Sequence, residues 1–181
     1  MKRLIVFAHN DLSKSNVSSN WLQHLQAKKD ESNTIICLDQ ELVNGNFDIA
    51  KHREIIRQHD AILVVFPVYW YSHPHILQKY LEQVLTGNDN ADFVNELRQH
   101  PAKQFMIAVS GASSQANYTL GGLASFPIEM QFANFLSLAN YCNLKWLPMY
   151  WVLDVHAKSE QQLTQACEDM YDKFVNPIII R

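Results

Sequence analysis

Residues Ala61 to Leu85 read AILVVFPVYWYSHPHILQKYLEQVL. The first six are apolar without interruption and β-branched at Ile62, Val64 and Val65, which suits a strand covered on both faces, because a half-exposed strand would alternate. Pro67 closes that run. Beyond Pro74 the apolar positions change period: Ile76, Leu77, Tyr80, Leu81, Val84 and Leu85 recur one helical turn apart and form a single stripe. A buried strand followed by an amphipathic helix is half of a parallel crossover unit. At the turn between them sit Phe66, Tyr69, Trp70 and Tyr71, more ring surface than a connection needs.

The same alternation runs along the chain. Further short apolar runs occur at RLIVFAH (3–9), NTIICL (33–38), QFMIAVS (104–110) and LKWLPMYWV (144–152). Helical spacing appears at Val17, Trp21, Leu22 and Leu25, and at Leu163, Ala166, Cys167, Met170, Tyr171 and Phe174. A weaker helical pattern covers 46–57, and the mostly apolar 126–142 reads as a buried helix. Five strands alternating with helices predict a doubly wound, five-stranded parallel sheet in the order 2-1-3-4-5, the flavodoxin-like α/β arrangement, with residues 1–181 as one domain. Ligands bind such sheets beyond the carboxyl ends of the strands where the order reverses, here between strands one and three. Attention therefore falls on the loops after Phe7, Phe66 and Val109.

Composition narrows the function. The 181 residues are 48% hydrophobic and 18% charged with a net charge of −3, so there is no basic field to hold a nucleic-acid backbone. The opening MKRLIVFAHN has too short an apolar stretch for an export signal or a membrane span, which predicts a cytoplasmic protein. Cys37, Cys142 and Cys167 are odd in number and far apart, so they read as small buried hydrophobes rather than a disulfide framework or zinc site. His73 and His75 flank Pro74, but two histidines at that spacing point apart and have no third ligand nearby, so no metal is expected. His156 reads as a surface residue.

The first loop, AHNDLSKSNVSSNWL, carries neither a dinucleotide glycine fingerprint nor a Walker A motif. His9, Ser13, Ser15 and Asn16 instead gather before a helix. Hydroxyls, an amide and free N–H groups at a positive helix end suit a phosphate; Ser and Asn there equally suit a helix cap. Trp70 and its neighbours could stack on a planar ligand or pack beneath a loop.

AHNDLSKSN, with its His-x3-Ser-x2-Asn, and FPVYWYSHPHILQKYLEQV resemble motifs of the flavodoxin-like NAD(P)H:quinone oxidoreductases. That group includes DT-diaphorase and the ancillary flavoproteins of glutathione-gated potassium efflux systems. VSGASSQANYTLGG and YCNLKWLP extend the resemblance over almost the whole chain. The resemblance implies that His9, Ser13, Ser15 and Asn16 surround a flavin phosphate, while Pro67, Val68, Tyr69, Trp70 and Tyr71 line the isoalloxazine edge. Ser110, Gly111 and Tyr118 match the third flavin loop, with Tyr118 or water as the proton source. It implies FMN, or FAD if the adenine is accommodated, with NAD(P)H as co-substrate. A quinone or similar small acceptor would be reduced by two electrons in ping-pong fashion, and a second subunit would complete the pocket. A regulatory flavoprotein docked on a membrane transporter is the alternative; a one-electron carrier would be more acidic. Asn10 stands where the family has proline, SGAS has one glycine where two are usual, the TLGGLASF just beyond Tyr118 has no histidine, and the roofing stretch is replaced by LTGNDNADFVNEL, which reads as polar loop.

Overall fold

A computed structural model describes residues 1–86 and 92–177. Its parallel sheet is built from β1 (Arg3–Phe7), β2 (Asn33–Cys37), β3 (Ala61–Pro67) and β4 (Gln104–Ser110), with β5 (Lys145–Trp146) and β6 (Tyr150–Val152) at one edge. The order is β2-β1-β3-β4-β5, with β6 also paired to β4. Register follows the apolar runs: Ile5 lies between Ile35 and Leu63, and Leu63 in turn faces Met106.

Strand alternation divides the core into two layers. Ile5, Phe7, Leu63 and Val65 point toward α1 (Asn16–Ala27) and α7 (Glu160–Val175), where Trp21, Leu25, Cys167, Met170 and Phe174 cover them. Leu4, Val6, Ile62, Val64 and Phe66 point the other way. They meet α2 (Ile49–Arg57), α3 (His75–Tyr80), α4 (Asp92–Gln99), α5 (Ile128–Gln131) and α6 (Ala133–Tyr141). The three cysteines are buried thiols, pushed up to about 11 at Cys37 and Cys142 and about 12 at Cys167 chiefly by burial.

Four elements differ from the sequence reading. The fifth run is two short strands, because its partners shift by one residue along it: Lys145 faces Gln104, but Tyr150 faces Ala108. The extra residue is absorbed around Pro148, which has no N–H for the ladder. The weak helical pattern at 46–57 starts only at Ile49, capped by the Asp48 carboxylate, which accepts from Lys51 N–H at 3.0 Å. The 126–142 segment is not one buried helix: it breaks at Phe132 into α5 and α6. Ile128, Phe132, Phe135 and Ala139 face the sheet, while Phe126, Met130, Leu136 and Tyr141 are exposed. Finally, the polar stretch after Leu85 is helical from Asp92, since Phe93, Val94 and Leu97 supply a buried stripe among polar neighbours; its residues 87–91 lie outside the described part of the chain.

Candidate functional site

β1 and β3 lie side by side, and their loops leave the carboxyl rim together. A cleft of about 650 Å³ opens there, within the usual range for small-molecule sites. Its floor is the rim itself: His9, Pro67, Val68, Tyr69, Ser110 and Ala112.

The first loop is braced from within. Leu12 is buried and its N–H donates to the Asp39 carboxylate at 2.8 Å, tying the loop to the segment after β2. Ser15 caps α1, its Oγ accepting from Ser18 N–H at 2.9 Å. The cap reading is therefore correct for Ser15. It does not exhaust the helix end, for Asn16 and Val17, which line the cleft, carry first-turn N–H groups with no carbonyl inside the helix. Ser13 turns elsewhere: its hydroxyl donates to Asp11 Oδ1 at 2.5 Å, and it is exposed rather than part of the cleft wall. Lys14 reaches the other Asp11 oxygen at 2.7 Å. Those contacts, the lysine's first, hold the Asp11 carboxyl below its usual range and raise the Lys14 ammonium.

His9 is 6% exposed and has both ring nitrogens engaged. Nδ1 accepts from Asp11 N–H at 3.1 Å, and Nε2 meets the Tyr69 hydroxyl at 2.8 Å. Burial lowers its pKa from the ordinary value near 6.5, against smaller opposing contributions from the Asp11 backbone, Asp39 and Asp11. At neutral pH the imidazole is uncharged.

The second loop is a two-residue hairpin. Tyr69 and Ser72 exchange both backbone hydrogen bonds, at 2.8 and 2.9 Å, with Trp70 and Tyr71 as central residues at φ of 46° and 62°. Two consecutive left-handed aromatic residues form the turn that matches strand twist, at a cost of about 1–2 kcal/mol each. The turn throws Trp70 into solvent at 95% exposure, with Tyr71 at 46%. The aromatic cluster thus splits: Phe66 is core, packed on Phe132 and Phe135; Tyr69 lines the cleft; Trp70 and Tyr71 form an exposed tip. Behind them the His73 ring packs on Phe66 and Phe135, with Nε2 at 2.9 Å from Gln78 Oε1.

In the third loop Ser110 is buried, while the Gly111 N–H is consumed by Val152 O at 2.9 Å. A Cβ on Gly111 would lie 2.7 Å from Leu153 Cδ2, so any larger residue there must displace the end of the Leu153 side chain. Tyr118 is not in the cleft wall. It is buried behind Gly111, its pKa raised by burial and then by Tyr71.

The cleft also contains residues the sequence reading did not select. Ser19, Asn20 and Gln23 continue from Asn16 along α1 at helical spacing, on a different face from Trp21 and Leu25, and Lys14 joins them from the turn before the helix; that polar stripe was legible. Val155, His156, Lys158 and Glu160 arrive from the segment before α7, and nothing local marked them. His156 is exposed as expected, but on the cleft wall. A second depression of about 420 Å³ lies at the opposite end of the sheet. Its cations are spent on Glu96 (Arg57, 2.6 and 2.8 Å) and on the Arg57 and His59 carbonyls (Lys103).

The sequence pattern of the flavodoxin-like fold family matches residues 1–174. A Bacillus subtilis (strain 168) protein named as the uncharacterized NAD(P)H oxidoreductase YrkL is 28% identical over 172 residues, covering 95% of this chain and 97% of its own. The glutathione-regulated potassium-efflux ancillary protein KefF of Klebsiella aerogenes is 28% identical over 152 residues, 81% of this chain and 80% of its own. Among solved structures, general stress protein 14 of Treponema denticola, in complex with FMN, superposes with a TM-score of 0.82 at 23% identity, covering 97% of this chain and 98% of that one.

Proposed function

The chain belongs to the flavodoxin-like fold family, and from that premise we propose that it is a cytoplasmic NAD(P)H oxidoreductase holding FMN in the cleft between β1 and β3. The observation that carries the reading is the cleft's two-ended chemistry. One end has the open first turn of α1, Lys14, the Ser15 hydroxyl and the side-chain amides of Asn16 and Asn20, a donor set suited to a phosphate monoester. The other is a strand rim leading to an aromatic hairpin. The relatives' names, an NAD(P)H oxidoreductase and an FMN complex, agree with it.

When bound, FMN supplies the two-electron chemistry, taking hydride from NAD(P)H and delivering it to a quinone or other small acceptor. The chain's own part is to bind, orient and shield. His9, Ser15 and Asn16 would flank the phosphate, while Ser13, turned onto Asp11, would stay outside that contact. Pro67, Val68 and the backbone of Tyr69 would border the ring, with the N–H groups of Trp70 and Tyr71, left out of the hairpin's own bonds, available to its edge. Ser110 and the backbone beyond Gly111 supply donors to ring oxygens, which favours the reduced, more anionic ring. Tyr118 is buried outside the cleft wall, so the acceptor's proton comes from water. One cleft serving donor and acceptor in turn gives ping-pong kinetics.

The exposed Leu120, Leu123, Phe126 and Met130, with Trp70 and Tyr71, favour a homodimer in which a second copy covers the third-loop segment and walls the acceptor site. Similarity to KefF favours a second reading, a regulatory flavoprotein docked on a membrane transporter with little turnover.

The test is mass identification of the cofactor released by heat, followed by NAD(P)H oxidation with and without menadione. FMN and menadione-stimulated turnover support the enzyme; FMN with no turnover, in protein that co-purifies with a transporter, supports the second reading. Colourless protein that cannot be reconstituted overturns both.

A further inference from the structure

His9 is the residue of the first loop that a phosphate reading places nearest the ligand, yet in this structure it has no nitrogen to offer. Its Nδ1 accepts from Asp11 N–H and its Nε2 contacts Tyr69 Oη. Because a backbone N–H donates to Nδ1, that atom carries the lone pair. The proton of the neutral ring then sits on Nε2, a tautomer assigned from the hydrogen-bond network. Nε2–H therefore donates, and the Tyr69 oxygen accepts. Among the described residues the hydroxyl proton of Tyr69 is left without a partner, and Tyr69 lines the same cleft as Ser15 and Asn16. The pair is geometrically fixed, with ring centroids 5.7 Å apart and planes at 71°, and it joins two loops sixty residues apart.

We infer that Tyr69, oriented by His9, is the hydrogen-bond donor to the anionic tail of the ligand held in this cleft, and that His9 is a positioning residue which acts through that hydroxyl. The inference rests on the FMN reading above and adds the atom that reads the phosphate. The arrangement has a chemical advantage: an O–H donor whose own oxygen accepts from an imidazole is polarised, and the donor stays in place while the imidazole remains neutral. The ionisable groups facing His9 are Asp11 on its own loop, Asp39 from the segment after β2, and Tyr69; Lys14, His156, Lys158 and Glu160 line the same cleft. Protonating His9 puts a hydrogen on Nδ1 against the Asp11 N–H, which breaks that bond and releases the ring.

The experiment compares FMN with riboflavin, which lacks the phosphate, by fluorescence quenching on the full chain stripped of flavin. Tyr69→Phe is expected to weaken FMN binding about tenfold or more while changing riboflavin binding by less than about twofold, the size of a hydrogen bond to a charged group. His9→Gln, whose amide nitrogen reaches toward the position of Nε2, should bind FMN better than His9→Leu; in a Tyr69→Phe background the two should be alike. The ratio of wild-type to Tyr69→Phe affinity should fall toward one as the pH is lowered through the His9 titration, a ratio from which the phosphate's own titration cancels. Thermal melts of the flavin-free proteins report whether each variant folds.

Tyr69→Phe that binds FMN as wild type does, with His9→Leu defective, places the contact on His9 itself and overturns the inference while leaving the FMN reading intact. Equal losses for FMN and riboflavin overturn it too, because the hydroxyl would then serve the ring or the fold. Wild-type protein that takes up neither flavin overturns the FMN reading and this inference with it.

Discussion

His9 and His52 are both buried histidines, 6% and 0% exposed, and burial lowers the pKa of each. Their surroundings are otherwise opposite. His9 has a partner on each nitrogen and points its relay into a cleft. His52, on α2, stands edge-on to Phe47 and Tyr80 with ring centroids at 5.5 and 5.2 Å. Among the described residues neither its nitrogens nor the Tyr80 hydroxyl has a hydrogen-bond partner; the Glu41 carboxylate lies 3.5 Å from Nε2. A buried imidazole with its bonds made is a device for holding another group in place. One without them is an aromatic ring filling space, and its nitrogens are a liability held down by the pH.

Substitution should separate the two. His9→Leu strands the Asp11 N–H and the Tyr69 hydroxyl, and is expected to cost about 1–3 kcal/mol in urea unfolding as well as flavin affinity. His52→Leu trades unpartnered nitrogens for a side chain of similar size and should stay within about 1 kcal/mol of wild type at neutral pH, with flavin binding unchanged. Equal destabilisation by both would erase the distinction.

Acidification comes next in size. A histidine whose folded-state pKa is depressed takes a proton more readily when unfolded, so its contribution is complete above the unfolded value near 6.5 and is lost as pH falls from there through the folded pKa. The wild-type chain should therefore lose stability between pH 7 and pH 5, and His52→Leu should lose about 1 kcal/mol less over the same interval. Parallel curves for the two proteins would show that His52 is already accommodated as a cation, through Glu41.

The same contrast recurs within one hairpin, where Tyr69 is partnered and its neighbour Trp70 is left-handed and in water. Trp70→Gly removes the steric penalty at φ 46° and should stabilise the free chain by about 0.5–1 kcal/mol, while weakening self-association in sedimentation experiments. A loss of stability would mean the indole is covered within its own chain. The smallest expected effect is at Asp11, which occupies Ser13 and Lys14 beside the proposed phosphate end. Asp11→Asn should tighten FMN about twofold to fivefold at low salt, an effect that fades as ionic strength rises.

Much of this architecture was legible. Strands covered on both faces must be apolar at successive residues, and the first four runs stand out for that reason. The fifth did not reveal its break, since Pro148 interrupts pairing without interrupting hydrophobicity. α4 escaped notice because Phe93, Val94 and Leu97 are only three apolar residues among polar ones. At the site, the first loop and the α1 polar stripe could be read from spacing, whereas Val155 to Glu160 reach the cleft only because β6 pairs with β4 and α7 packs beside α1.

By itself the sequence determined which segments are buried strands, where the chain must turn, that Ser15 begins a helix and that the cysteines are inert packing groups. These follow from solvent exclusion and local backbone chemistry, which act over a few residues. The tertiary structure alone decided that His9 meets Tyr69, that His52 is set edge-on between Phe47 and Tyr80 with the Glu41 carboxylate at 3.5 Å, and that Trp70 faces outward while Phe66 faces in. Those outcomes depend on strand order and register across sixty residues, and on a turn geometry that rotates adjacent side chains apart, so no local spacing records them.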